Sequence, residues 1–280
     1  MQAQHPSGKL IRLSRILQPH DQRAAVVAFD HGVHLGAIPG ILRPGDMLET
    51  LSQAGVDAFL VSPGVARAYA GVFCGRGAPG LILRIDWTNL WRSKDRLGSD
   101  EGRATLIAQV EDAARLGADA VLVYMFIGYE DPHQEAAQVG HVAQVAQACE
   151  ALGMGCIVEP MARGKRVGDD IYNAEYIALG ARMACEIGAD ILKTDYSGSA
   201  ESFAHVVESS FRPILIAGGP KTHTQREALE MVQGALSAGA QGLFFGRNVF
   251  QAEDPARIMR AMVAMIHQNL SVDEAEALLQ

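Results

Sequence analysis

One pattern repeats along the chain. A stretch with apolar residues three and four apart leads to a glycine, then one or two small or acidic residues, then a short continuous apolar run. It recurs at Ala54–Val61, Leu116–Val123, Leu152–Val158, Ile187–Leu192 and Ala238–Phe245. Each glycine suits the position just past a helix, where a left-handed residue stops the turn. Each apolar run is too short for a helix and too continuous for a half-exposed strand. It fits a parallel strand covered on both faces. Ala24–Phe29, Leu81–Ile85 and Pro213–Ala217 read the same way. The pattern therefore predicts eight strands, ending near residues 30, 62, 86, 125, 159, 193, 217 and 246. Helices are predicted between them at 46–54, 101–116, 134–152, 174–187, 200–209 and 224–238, with a weak one near 65–70. A last helix is predicted at 255–268, followed by a short acidic tail helix.

Strand and helix alternating eight times predict an α/β fold, a (β/α)8 TIM barrel, ahead of a doubly wound open sheet. The 280 residues, 49% hydrophobic, suffice for one such core. No linker composition interrupts them. The expectation is one domain over 1–280, with an N-terminal extension at 1–22 and a tail helix at 270–280. A net charge of −8 without a basic block argues against nucleic acid or an anionic membrane surface as partner. No apolar run reaches 18 residues and no signal peptide is recognised. Cys74, Cys149, Cys156 and Cys185 show neither paired nor zinc spacing. A reducing, cytoplasmic setting is expected.

In a barrel of this kind the chemistry gathers at the C-terminal ends of the strands. Lys193 stands there, alone in the run Gly188–Gly198. A low-dielectric cleft disfavours an ammonium, and the free amine is a nucleophile that forms a Schiff base with a carbonyl compound. The plainer alternative is a lysine snorkelling at a strand end. The other strand ends weigh against it: Asp30 and His31 after strand 1, Asp86 after strand 3, Tyr124 on strand 4 and Glu159 on strand 5. Asp30, Asp86, Tyr124, Glu159 and Lys193 are expected to converge on one cavity. Taken singly, Asp86 or Glu159 could instead pair with Arg84 or Arg163. Strands 7 and 8 end in Ala217-Gly218-Gly219 and Gly246-Arg247, which read as a phosphate cradle of backbone amides plus a guanidinium.

Two other signals carry less. Gly75–Gly80 matches G-x-G-x-x-G, but it precedes a strand and contains a proline, so it reads as a loop and no dinucleotide cofactor is expected. His31 and His34 stand three apart with no further ligands in sequence, so they read as neutral hydrogen-bonding groups and no metal is expected.

Asp30–Gly32, Lys193–Gly198, Ala217–Thr222 and Gly246–Gln251 together resemble the archaeal-type class I fructose-bisphosphate aldolases, within the DeoC-like class I aldolase superfamily. The resemblance runs from about Gly8 to Asp254. It implies that Lys193 forms the Schiff base and that Asp30 assists proton transfer. It also implies that Gly218, Gly219, Gly246 and Arg247 hold a substrate phosphate; His31 and Asp86 are expected beside them as substrate-binding residues. A reversible cleavage of a phosphorylated ketose such as fructose 1,6-bisphosphate is the expected activity, in a homo-oligomer, often a decamer. Two departures are visible. Phe126 stands where those aldolases place a catalytic tyrosine, and Tyr124, two residues earlier on the same side of the strand, is the candidate to replace it. Glu159 resembles the acid of aldolases acting on tagatose bisphosphate or sulfofructose phosphate. The same group holds an amino-dideoxy-heptulosonate synthase and a thiolase-like enzyme, so acyl transfer to coenzyme A is an alternative, as is a non-catalytic sugar-phosphate-binding barrel.

Overall fold

Residues 7–280 are described by a computed structural model. Residues 1–6 of the expected extension lie outside the described residues. Eight parallel strands close into a barrel: β1 (Ala24–Ala28), β2 (Ala58–Val61), β3 (Gly80–Arg84), β4 (Ala120–Ile127), β5 (Gly155–Ala162), β6 (Ile191–Thr194), β7 (Ile214–Ala217) and β8 (Gly242–Phe245). Each strand pairs with its neighbours in sequence, and β8 closes on β1, with Val27 opposite Phe245. Helices follow the strands, the longest at Pro132–Leu152, Ala174–Ile187, Gln225–Ser237 and Pro255–Gln268.

The helix expected at 101–116 is much shorter, Val110–Arg115. The segment before it instead pairs Thr105–Leu106 antiparallel with Asp86–Trp87. That ribbon folds the long β3–β4 connection over the barrel mouth, and Ile85 O accepts from both Ile107 N and Ala108 N. Local periodicity carries no sign of such a long-range pairing.

The recurring polar residue two places after the glycine has a structural use. Asp57 accepts the Ala25 N–H at 2.6 Å, Asp119 the Leu81 N–H at 2.9 Å, Asp190 the Cys156 N–H at 2.9 Å and Gln241 the Ile214 N–H at 2.8 Å. Each entry turn of an even strand thus satisfies a buried backbone donor at the start of the odd strand before it. The helix Ser7–Leu13 and the turn after it cover this end, with Ile16 and Leu17 buried against the barrel interior. Lys9 reaches Asp190 and Glu150 there. The bottom is therefore closed, and the accessible cavity lies at the opposite end.

Strand parity decides what points into the barrel. The interior cluster holds Val26, Ala28, Leu60, Ile82, Leu122, Ile157, Ile191 and Leu215, while Val27, Leu83, Val121, Val158 and Leu192 pack outward against the helices. Side chains alternate with period two, so two residues on from each interior position the chain again points inward. That step leads from Ala28 to Asp30, from Ile82 to Arg84, from Leu122 to Tyr124, from Ile157 to Glu159 and from Ile191 to Lys193.

Candidate active site

A cavity of about 350 Å³ opens at the C-terminal ends of the strands, within the range of small-molecule sites. Asp30, His31, Tyr124, Glu159, Lys193, Gly218, Gly219, Gly246 and Arg247 all line it. Asp86 does not. It is fully buried behind Arg84, so the structure corrects its expected place on the cavity wall.

Arg84 organises the floor. Its guanidinium is fully buried and donates to three carboxylates: Nε to Asp30 Oδ2 at 2.8 Å, Nη1 to Asp86 Oδ1 at 3.1 Å and Nη2 to Glu159 Oε2 at 2.7 Å. Its Cζ lies 3.9 Å from the centre of the Tyr124 ring. Asp86 also accepts the Tyr124 backbone N–H at 2.7 Å, which fixes the strand that carries the phenol. Glu159 uses its other oxygen on Lys193, with Oε1 2.8 Å from Nζ. Arg84 thus takes both Asp86 and Glu159, while Arg163 donates to Asp195 at 2.9 Å.

Burial pushes the Asp30 carboxyl upward, but the charges of Arg84 and Lys193 outweigh it and hold the group well below the usual carboxylate range. Glu159 is held low in the same way, burial being overcome by Lys193 and then Arg84. Asp86 has the deepest setting and one cationic neighbour to share, and burial raises it to about 6. Of the carboxylates lining the cavity, Asp30 and Glu159 are therefore ionised at neutral pH, while burial raises Asp195, and Asp86 behind the wall titrates nearer neutrality.

His34 Nδ1 lies 3.1 Å from Thr88 O, a carbonyl that can only accept, so Nδ1 carries the proton. Nε2 is then an acceptor, and the Tyr124 hydroxyl, 3.2 Å away, donates to it. The Trp91 indole donates to the same hydroxyl at 2.9 Å. Burial drives the Tyr124 phenol well above its ordinary value, so it works as a neutral hydroxyl with a fixed orientation. Phe126 stacks on Tyr124 with ring centres 5.0 Å apart and does not line the cavity. Tyr124, two residues back, presents the hydroxyl instead.

Burial lowers His31 and His34 to about 4 each. An unfolded chain takes up these protons near pH 6.5, whereas the fold refuses them until about 4. The contribution is present above pH 6.5 and is lost as pH falls through 4. Burial also raises Asp86, to about 6, and Asp119 and Asp195, which act oppositely at the acid end, while His141, likewise lowered by burial, acts with the other two histidines. The thermal midpoint is expected to fall between pH 6.5 and 4, and His31→Asn to flatten the slope. Thermal unfolding followed by circular dichroism across that range checks it, and a flat or rising midpoint would contradict it.

The cradle is built by close approach. Gly219 has φ +60°, a conformation that side chains disfavour. At Gly246 a Cβ would run into the imidazole of His31. Asn248 Nδ2 donates to Gly218 O at 2.8 Å and Arg247 Nη2 to Gly219 O at 2.9 Å, tying the two loops together. Arg247 Nε is buried with no partner in the structure.

Sequence reasoning missed four participants: Arg84 as the hub, His34 as the phenol's acceptor, Trp91, and Asp195 as partner of Arg163. Arg84 and Asp195 carried a signal, each lying two residues from an inward-pointing position. Trp91 sits in the long connection, where no periodicity operates. Among the described residues, one group of side chains comes close enough for a metal ion: His20, Asp21 and His267, at the closed end of the barrel. Both His267 nitrogens are already occupied there, by Asp21 at 2.6 Å and Asp57 at 2.9 Å.

A model of DeoC/LacD family aldolases matches residues 24–252. An uncharacterized aldolase of Saccharolobus solfataricus is 38% identical over 98% of this chain and 99% of that protein. A 2-amino-3,7-dideoxy-D-threo-hept-6-ulosonate synthase of Halobacterium salinarum is 35% identical over 97% and 96%. A 3-hydroxy-5-phosphonooxypentane-2,4-dione thiolase of Escherichia coli is 32% identical over 96% and 85%. Among solved structures, a Schiff-base-forming fructose-1,6-bisphosphate aldolase superposes with a TM-score of 0.81 at 29% identity, over 92% of this chain and all of that one.

Proposed function

The chain belongs to the DeoC/LacD family of aldolases and is a class I lyase, and from that premise we propose that it cleaves a phosphorylated ketose reversibly between C3 and C4. One observation carries the reading: the amine of Lys193, a residue 6% exposed, lies 2.8 Å from an ionised Glu159 and faces a cavity whose next two strands end in the Gly218–Gly219 and Gly246–Arg247 loops.

In this reading Glu159 takes a proton from the lysine, the free amine attacks the ketone, and the nitrogen passes a proton to the alkoxide to give the carbinolamine. Glu159 then protonates the carbinolamine hydroxyl, which leaves as water and gives the iminium ion. Asp30 accepts the C4 hydroxyl proton, and the electrons of the C3–C4 bond pass into the iminium. That yields an aldehyde and an enamine. Protonation at C3 and hydrolysis release the second product and regenerate the amine. The neutral Tyr124 hydroxyl, oriented by His34 and Trp91, hydrogen-bonds a substrate hydroxyl. Phosphorylated ketoses are meant as a class, of which the fructose 1,6-bisphosphate expected from the resemblance is a doubly phosphorylated member.

Borohydride reduction in the presence of a panel of phosphorylated ketoses, read by intact mass, tests the reading. A covalent adduct on Lys193 is expected, and no adduct with any member of the panel would refute it. Acyl transfer is the second reading, favoured by Phe126 in place of the strand-4 tyrosine. Carbon–carbon cleavage that depends on coenzyme A would select it.

Arg247→Ala is expected to raise KM for phosphorylated donors and leave unphosphorylated analogues nearly unchanged. The loss should be about 1.5–3 kcal/mol, the range for a charge-assisted bond. Comparing dihydroxyacetone phosphate with dihydroxyacetone checks it; equal losses for both would remove Arg247 from the phosphate site.

A further inference from the structure

The cations on the cavity wall are of two kinds. Lys193 has Glu159 at 2.8 Å, and Arg163 has Asp195 at 2.9 Å. Arg247 has no carboxylate within salt-bridge distance among the described residues. It keeps a buried Nε–H without a partner. A phosphoryl group brings nearly two charges and several acceptors, and it needs a cation with charge and donors to spare. Arg247 offers both, next to the open backbone of Gly218, Gly219 and Gly246.

Arg163, just past the end of β5, offers neither. Arg163 is spent on Asp195, which is 4% exposed, and its Cζ lies 5.9 Å from the Trp91 ring centre. A second phosphoryl group placed there would displace Arg163 from Asp195 and leave a buried carboxylate facing a dianion, a costly arrangement. Leu90, Trp91 and Met161 also line the cavity, with the neutral Tyr124 hydroxyl beside Trp91, and favour uncharged groups. The cradle, by contrast, stands on β7 and β8, the strands that follow Lys193 around the barrel. The phosphoryl group therefore belongs to the half of the substrate that carries the ketone.

Resting on the Schiff-base reading above, we propose that the substrate carries a single phosphoryl group, on its ketone half, and that the aldehyde it releases is uncharged. Asp195 is the positioning residue for this selectivity, because it neutralises the one cation, Arg163, that could hold a charged aldehyde tail.

The test runs the reaction in the synthetic direction with the full chain. Dihydroxyacetone phosphate is the donor, and glyceraldehyde or glyceraldehyde 3-phosphate the acceptor. Borohydride trapping of the donor alone, read as an intact-mass increase, examines the Schiff base separately; absence of that adduct overturns the underlying reading. With the adduct formed, kcat/KM should be at least about tenfold higher for glyceraldehyde than for its phosphate, the scale on which one mismatched polar contact discriminates. An equal or higher value for glyceraldehyde 3-phosphate overturns the single-phosphate inference and leaves the Schiff base standing. Asp195→Asn frees Arg163 and should shift the ratio toward the phosphorylated acceptor by about tenfold or more. An unshifted ratio in a folded variant would refute the role given to Asp195, and the wild-type comparison decides the main inference should the variant not fold.

Discussion

Lys193→Met is expected to lower kcat/KM by at least about three orders of magnitude while the barrel stays folded, because a covalent nucleophile has no substitute in its own reaction. Folding should survive for two reasons. Methionine has nearly the length of lysine and suits the Phe244 ring, whose centre lies 5.7 Å from Nζ. Glu159, on losing the lysine, keeps Arg84 at 2.7 Å, so no buried carboxylate is left without a cation. Turnover, circular dichroism and borohydride trapping on one preparation check all three statements. Activity within tenfold of the parent would sink the Schiff-base mechanism, and lost activity in an unfolded variant would answer nothing unless Lys193→Arg, folded, were inactive too.

The second large effect separates two carboxylates that look alike in burial and ionisation. Glu159→Gln is expected to slow iminium formation, since Glu159 is the group in contact with Lys193. Asp30→Asn should leave iminium formation intact and slow carbon–carbon cleavage, so the trapped imine accumulates. Each loss should be about 10²–10⁴-fold, the usual worth of a positioned acid–base group. Both amides can still accept a bond from Arg84, so the loss falls on proton transfer more than on packing. Single-turnover trapping of each variant distinguishes them. Normal trapping and normal turnover in Glu159→Gln would reduce Glu159 to holding Lys193 and Arg84 in place. Equal defects in both variants would show that Arg84 couples the pair into one unit.

Much of the barrel is legible in the order of residues, because its signals are local. Gly55, Gly117, Gly153, Gly188 and Gly239 all have positive φ and end the turns where the repeated pattern places them. Apolar runs of strand length between such stops leave little choice but a parallel sheet covered on both faces. The helices at 174–187 and 255–268 follow from periodicity and caps alone, and both match to the residue. Where the chain leaves the repeat, legibility ends. Within the stretch from 88 to 109, Thr105–Leu106 pairs with Asp86–Trp87 through contacts that no window of sequence contains, and the stretch delivers Trp91 to Tyr124.

The same division runs through the site. Inward placement of Asp30, Tyr124, Glu159 and Lys193 follows from sequence, since period two sets the face and the strand end sets the depth. Their pairing does not. Arg84 could have served Asp86 alone, and Arg163 could have served Glu159; the closed barrel brings Arg84 against Asp30 just past β1, Asp86 just past β3 and Glu159 in β5 at once and leaves Arg163 to Asp195. Sequence by itself determined which strand-end side chains face the barrel interior and which end of the barrel they reach, because alternation and turn chemistry act between near neighbours. Tertiary structure alone decided which charge neutralises which, because partners 54 and 75 residues apart meet only when the sheet closes.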